Sequence, residues 1–219
     1  MTVGILDYDA GNLTSVENAL RHLGHRWVLS SDPEALKNTD RLIFPGDGHA
    51  ATSMENLRAR GLDRLLTDFV AQGRPVLGIC VGSQIVLESS EEGNASCLGL
   101  IPGTCRKLPG GPGIKVPHMG WNSVHFETDH PLVAGVPQGA SFYFVHSYYT
   151  IPAAGVPVLG LRPVNGIGLP GEAAVAGRLI EVVRYVGTVR FLRGETAVVP
   201  VFGEGQYFRD DAGPDDAVA

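Results

Sequence analysis

The stretch from Gly73 to Glu92, GRPVLGICVGSQIVLESSEE, constrains this chain more than any other. A short apolar run, Pro75 to Ile79, leads into Gly78-Ile79-Cys80-Val81-Gly82, and a helix is expected to follow. An apolar run, then Gly-x-Cys-x-Gly, then a helix is the layout of a nucleophile elbow. The turn from strand to helix is so tight that side chains two residues either side of the nucleophile would collide. The nucleophile itself is held in a strained backbone conformation that points it out of the turn. The N–H of Val81 can then stabilise an oxyanion, and the helix N-terminus raises the thiolate fraction. A buried Cys at a strand end beside two turn glycines has the same local sequence, because free Cys is among the most buried residue types. The rest of the chain must separate the two.

At 219 residues the chain is long enough for one sizeable α/β domain, and it is read as a single domain over 1–219. No run approaches the ~18 consecutive apolar residues of a membrane span. The opening MTVGILDYD carries no basic leader, so no signal peptide is expected. Three cysteines, Cys80, Cys97 and Cys105, lack metal-type spacing and suit a reducing cytoplasm. A net charge of −6 argues against nucleic acid as the main partner. The acidic tail DDAGPDDAVA is expected to fray.

Taken in order, Thr2 to Leu6 reads as a buried strand, and Asp7 to Asn12 as a loop. A helix follows over about Leu13 to Leu23, with Val16, Leu20 and Leu23 on its apolar face and Gly24 as its stop. His25 to Ser30 is a second strand. Asp32 then caps a short helix with Pro33 at its first position. Arg41 to Phe44 is a third strand, ending in the loop Pro45-Gly46-Asp47-Gly48-His49, and 50–72 supplies one or two helices. The βαβα alternation predicts a doubly wound, mostly parallel sheet whose crevice lies at the carboxyl ends of its strands, where both Gly46 and Cys80 fall. After Gly93 the pattern changes to a loop at Pro109–Gly113 and antiparallel strands at Val124–Phe126, Ser141–Val145 and Tyr148–Ile151. Further apolar runs, Ala173–Val175, Leu179–Val183 and Ala197–Phe202, are candidate strands.

Several blocks share one further property: Asp7-Tyr8-Asp9-Ala10-Gly11-Asn12-Leu13, Ser15 to Leu20, Pro45-Gly46-Asp47-Gly48, Gly78 to Gln84, Glu88 to Gly93, Lys115 to Asn122 and Tyr143 to Tyr149. In order and spacing they resemble the glutaminase subunits of imidazole glycerol phosphate synthase, which are class I, triad-type glutamine amidotransferases with a flavodoxin-like α/β fold. The resemblance covers about residues 1–150. It implies that Cys80 attacks the side-chain amide of glutamine, giving a thioester and ammonia. The N–H of Val81 and an amide of the 45–48 loop, at Asp47, would form the oxyanion hole. Gly46, Gly48, Gln84 and the His146-Ser147-Tyr148 segment would hold glutamine. The implied partner is a (β/α)₈ cyclase that receives the ammonia, faced by the blocks holding Asn12, Trp121 and Asn122. No cofactor or metal is implied.

Each residue also has a plainer reading. Gln84 is otherwise a surface polar residue, His146 a satisfied core histidine and Trp121 ordinary core. His49 and His118 receive no role, and Glu88, Glu91 and Glu92 read as a solvated helix face.

The chain departs from the family pattern in two places. Triad glutaminases draw their base and its orienting carboxylate from a late Phe-His-Pro-Glu stretch after a strand. Here no His follows His146, and a loose alignment puts Gly203 at the base, with Glu204 as a remnant carboxylate. Either 150–219 has diverged, or a change of reading frame altered it, or a His elsewhere fills the site. The function is accordingly a glutaminase of histidine biosynthesis, a non-catalytic scaffold subunit, or an amidotransferase of another ammonia-using pathway. Asp47 is the second departure. It stands where the family has an apolar residue, and its carboxylate beside a developing oxyanion is electrostatically unfavourable.

Overall fold

A computed structural model describes residues 1–110, 115–127 and 129–161, with the strand segments 163–164, 167–168, 173–176, 179–182, 187–190 and 196–199. The acidic tail, Glu204 and most of the expected Pro109–Gly113 loop lie outside the described residues.

The first half runs β1 (Thr2–Leu6), α1 (Leu13–His22), β2 (Arg26–Ser30), α2 (Pro33–Leu36), β3 (Arg41–Gly46), α3 (Ala50–Arg60), α4 (Leu62–Ala71), β4 (Val76–Cys80) and α5 (Val81–Gln84). The second half is mostly strand: β5 (Ser89–Ser90), β6 (Ala95–Ser96), β7 (Gly103–Lys107), β8 (His118–Ser123), β9 (His125–Phe126), β10 (Ser141–His146), β11 (Tyr148–Pro152), β12 (Val158–Leu161), β13 (Pro163–Val164), β14 (Ile167–Gly168), β15 (Ala173–Ala176), β16 (Leu179–Val182), β17 (Gly187–Arg190) and β18 (Thr196–Val199). The main sheet has the order β2-β1-β3-β4-β16-β15-β12-β9. It is parallel from β2 through β16 and antiparallel beyond. A second sheet, β11-β7-β5-β6, is antiparallel except for its parallel β5–β7 pair, and β8 with β10, β13 with β14 and β17 with β18 form antiparallel two-stranded ribbons. This is the expected doubly wound α/β architecture, with the parallel sheet first and the antiparallel half after it.

The layering follows from strand periodicity. Along β3, Leu42 and Phe44 join the core under α3 and α4, while Ile43 faces the core under α1 with Val3, Ile5, Val16 and Leu20. Helices therefore cover both faces, so the strands read as continuous apolar runs rather than alternating ones. In α4, Leu62, Leu65, Leu66 and Phe69 fall at helical spacing and are all buried, each contributing about 1.5–3 kcal/mol by leaving water. Gly61, at φ 69°, ends α3 and opens α4 in a conformation that costs glycine little. The expected caps are present: Asp32 accepts from the Glu34 N–H at 2.9 Å, with Pro33 at the first helical position.

Two local expectations are corrected. The helix after Cys80 stops at Gln84. The carbonyls of Ile85, Val86 and Leu87 accept from the N–H groups of Leu98, Leu100, Ile101 and Gly99, and are therefore not available to continue a helix. Glu88 and Glu91 consequently line no helix face, and Glu92 only opens a short 3-10 turn, Glu92–Asn94. Their carboxylates accept from the backbone N–H groups of Gly103, Lys107 and Ala50, each at 2.9 Å. The strand over His118–Ser123 was not foreseen. Its exposure alternates residue by residue, but Gly120 and Asn122 are poor strand formers and hide that period.

Candidate active site

Strand β4 delivers Cys80 at its carboxyl end, and β3 delivers Gly46 beside it, since the two pair directly across the parallel ladder. Cys80 has φ 56° and ψ −120°, a left-handed conformation for a non-glycine residue. Such backbones cost about 1–3 kcal/mol and persist only where surroundings impose them. Here the surroundings are the flanking glycines. A Cβ on Gly78 would lie 2.8 Å from the Ser83 Cα, and one on Gly82 would lie 2.0 Å from the Phe44 carbonyl oxygen. The Ser83 hydroxyl closes the turn by donating to the Cys80 carbonyl at 2.6 Å. The elbow read from the sequence is thus present. Cys80 itself is more enclosed than a thiol thrust out of a turn, with 6% of its surface exposed.

The 45–48 segment lies against this elbow. A Cβ on Gly46 would meet the Gly82 nitrogen at 2.4 Å, the Tyr8 hydroxyl at 2.6 Å and the Val81 carbonyl carbon at 3.0 Å. Gly46 therefore fits only as glycine, while Gly48, at φ 77°, faces open space. Asp47 between them is half-buried. The 7–12 loop abuts the same segment, because a Cβ on Gly11 would touch Pro45 at 3.0 Å. Asp9, also at positive φ, receives Arg60 from the end of α3 in an ion pair.

Two of the residues expected to hold glutamine converge on one carbonyl. Gln84 is buried and its Nε2 donates to the Tyr148 oxygen at 3.4 Å. The His146 ring, also buried, donates from Nδ1 to the same oxygen at 2.7 Å. Gln84 is therefore not a surface residue, and His146 is held by backbone as its plainer reading expected. Ser147 accepts from the Leu108 N–H through its carbonyl at 2.8 Å. His118, given no role from sequence, stands opposite His146 across the β8–β10 ladder with the rings edge to face at 5.7 Å.

Trp121 is 49% exposed, which rules out its reading as core. It packs edge-on against Tyr143 and shares the outward face of β8 with Met119, itself 60% exposed. Asn122 lies on the opposite face, where its amide contacts the His118 Nε2 at 3.0 Å and the Gly120 carbonyl at 3.3 Å. Asn12 caps α1, accepting from the Ser15 N–H at 3.1 Å. On the other side of β4 the neighbouring strand is β16, in register from Leu179 opposite Val76 to Val182 opposite Ile79. Glu204, the expected carboxylate remnant, lies outside the described residues. No helix among the described residues is long and apolar enough to cross a membrane.

Sequence reasoning passed over Tyr8. Its ring is fully buried and tilted against Phe44 at 5.4 Å, and nothing in the local sequence marked its hydroxyl as adjoining Gly46.

The model of the class-I glutamine amidotransferase family matches residues 4–163. Curated relatives named imidazole glycerol phosphate synthase subunit HisH include one from Dehalococcoides mccartyi, 45% identical over 69% of this chain and 73% of the relative. One from Nitratidesulfovibrio vulgaris is 47% identical over 68% and 74%, and one from Streptococcus sanguinis is 45% identical over 78% and 81%. Among solved structures, a glutamine amidotransferase superposes with a TM-score of 0.62 at 19% identity, over 82% of this chain and 87% of the other. The PurLQS structure from Thermotoga maritima superposes with a TM-score of 0.60 at 18% identity, over 83% and 85%. At those identities the superpositions speak to the fold alone. The family match spans most of the chain, and its relatives keep close to half of their residues over two thirds of it: the chain belongs to the class-I glutamine amidotransferases.

Proposed function

We propose that this chain is the glutaminase subunit of an imidazole glycerol phosphate synthase, a single glutamine amidotransferase domain acting in the cytoplasm as a heterodimer with a (β/α)₈ cyclase. The carrying observation is Cys80 in a strained elbow, directly paired with Gly46 at the carboxyl edge of the parallel sheet. The relatives' shared name supplies the pathway. In this reading the Cys80 sulfur attacks the side-chain carbonyl carbon of glutamine, the C–N bond breaks, and ammonia leaves with the thiol proton. Water then hydrolyses the thioester, releasing glutamate and restoring the thiol. The N–H groups of Val81 and Asp47 face the developing oxyanion. Gly46, Gly48, Gln84, His146, Ser147 and Tyr148 shape the glutamine site. The outward face carrying Trp121 and Met119 meets the cyclase, since exposed apolar side chains of this size mark partner surfaces. The blocks holding Asn12 and Asn122 are assigned to the same partner.

A second reading is favoured by one sequence observation. No His follows His146, and loss of a triad base commonly costs several powers of ten in turnover. Glu204 alone does not restore a base. Hydrolysis by this chain is therefore expected at or near background, leaving a subunit that keeps the partner face. Ammonia release from glutamine, measured with the cyclase present and with Cys80→Ala as control, separates the readings. Robust Cys80-dependent release would refute the impaired reading. Absence of any glutamine-directed labelling of Cys80 would refute the glutamine site itself.

A further inference from the structure

The phenol of Tyr8 is completely buried, and its hydroxyl has no hydrogen-bond partner among the described residues. Burial pushes the phenol up, and Ser53, buried on α3, lies near enough to oppose that, but no bond of acceptable geometry joins the two hydroxyls. A buried hydroxyl without a partner costs stability that phenylalanine would not cost. Its position is specific. The Tyr8 oxygen and the Val81–Gly82 peptide both lie within 3.0 Å of the point where a Cβ on Gly46 would stand. The phenol thus borders Gly46 at the point where that glycine meets the elbow. Burial holds the phenol protonated, and the charges of Asp47 and Cys80 push the same way. The hydroxyl therefore keeps its proton and has no acceptor for it among the described residues.

We propose that Tyr8 is a positioning residue of the acyl-transfer site: its hydroxyl donates to the backbone of the Gly46–Asp47 segment when glutamine occupies the site, fixing that segment as the wall of the oxyanion hole. The inference rests on the glutaminase reading above. It gives the Tyr8 hydroxyl, which a phenylalanine at this buried position would lack, a function, and it requires no contact between Tyr8 and substrate.

The test uses Tyr8→Phe, which removes one oxygen from a fully packed ring. Purified full-length protein is treated with a chloroketone analogue of glutamine, and separately with iodoacetamide. Modification of the Cys80 peptide is followed by mass spectrometry. The chloroketone must develop negative charge on its carbonyl oxygen within the site, whereas iodoacetamide reports thiol access alone. Tyr8→Phe is expected to lower the maximal chloroketone inactivation rate about tenfold, short of the ~100-fold that removing an oxyanion donor itself costs. The half-saturating concentration, the iodoacetamide rate and the unfolding temperature should not fall. An unchanged chloroketone rate, or equal slowing with both reagents, overturns the role of Tyr8 while the glutamine site stands. If wild-type Cys80 shows no preference for the glutamine analogue over iodoacetamide, the glutaminase reading fails and the Tyr8 role falls with it.

Discussion

Substituting Gly82 by Ala tests the geometry on which the elbow depends. The added Cβ would sit 2.0 Å from the Phe44 carbonyl oxygen and 3.0 Å from the Phe44 carbonyl carbon, where real Cβ contacts essentially never fall below 3.0 Å. The obstructing atoms are backbone of β3, a central strand paired with β1 on one side and β4 on the other. No side chain can rotate away. Relief requires β3 and the elbow to separate by roughly an ångström in a close-packed interior, which places the cost at the upper end of single-residue effects, about 4 kcal/mol. At about 2–4 °C per kcal/mol for a chain of this length, the unfolding temperature should drop by about 8–16 °C. Gly48→Ala is the internal control. Its Cβ would meet nothing within 4 Å, so only the left-handed backbone at φ 77° is penalised. That penalty is about 1 kcal/mol, or about 2–4 °C. Thermal unfolding of both variants, followed by circular dichroism at 222 nm, gives the comparison. If Gly82→Ala loses no more than Gly48→Ala, the close approach of elbow and β3 is wrong, and with it the placement of Gly46 beside Cys80.

Three further outcomes are expected. Glu92→Ala removes the carboxylate that accepts the Ala50 N–H at the start of α3, where His49 provides no side-chain cap; it should cost about 1 kcal/mol in chemical denaturation. Trp121→Ala should leave stability within about 1 kcal/mol, because the ring is half exposed. In the proposed cyclase complex it should weaken binding by about 2 kcal/mol or more in calorimetric titration, as expected for an aromatic anchor buried at an interface. Burial raises the Cys97 thiol from 9.0 to about 11, opposed by Arg58. The folded state therefore holds this proton more tightly than the unfolded chain, so folding loses stability as pH rises from about 9 to about 11. Alkylation of Cys97 in the folded protein should likewise stay slow at pH 8 and accelerate towards pH 11, and a rate already maximal at pH 9 would contradict the shift.

Residues 1–84 were legible in order because each element there is signalled locally. Apolar runs mark the parallel strands, Asp32-Pro33 marks a helix start, and glycines two residues either side of Cys80 mark an elbow whose steric reason is purely short-range. The carboxylates of Glu88, Glu91 and Glu92 were misread for the opposite reason. Whether 85–92 continues a helix depends on whether the carbonyls of Ile85 to Leu87 find partners elsewhere, and those partners, at 98–101, come from a segment that only the folded chain brings alongside. The orientation of Trp121 has the same origin, since an aromatic residue in a strand faces core or solvent according to register, and register is set by pairing with β10.

Sequence alone determined the elbow that carries Cys80, the parallel sheet that presents it and the absence of a histidine after His146, because these depend on residue identity and near-neighbour sterics. Tertiary structure alone decided that Gln84 and His146 share the Tyr148 carbonyl, that Trp121 faces outward while Asn122 does not, and that the Tyr8 hydroxyl lies against Gly46 with no partner among the described residues. Those facts join residues distant in sequence, and the distances that create them exist only once the strands have paired.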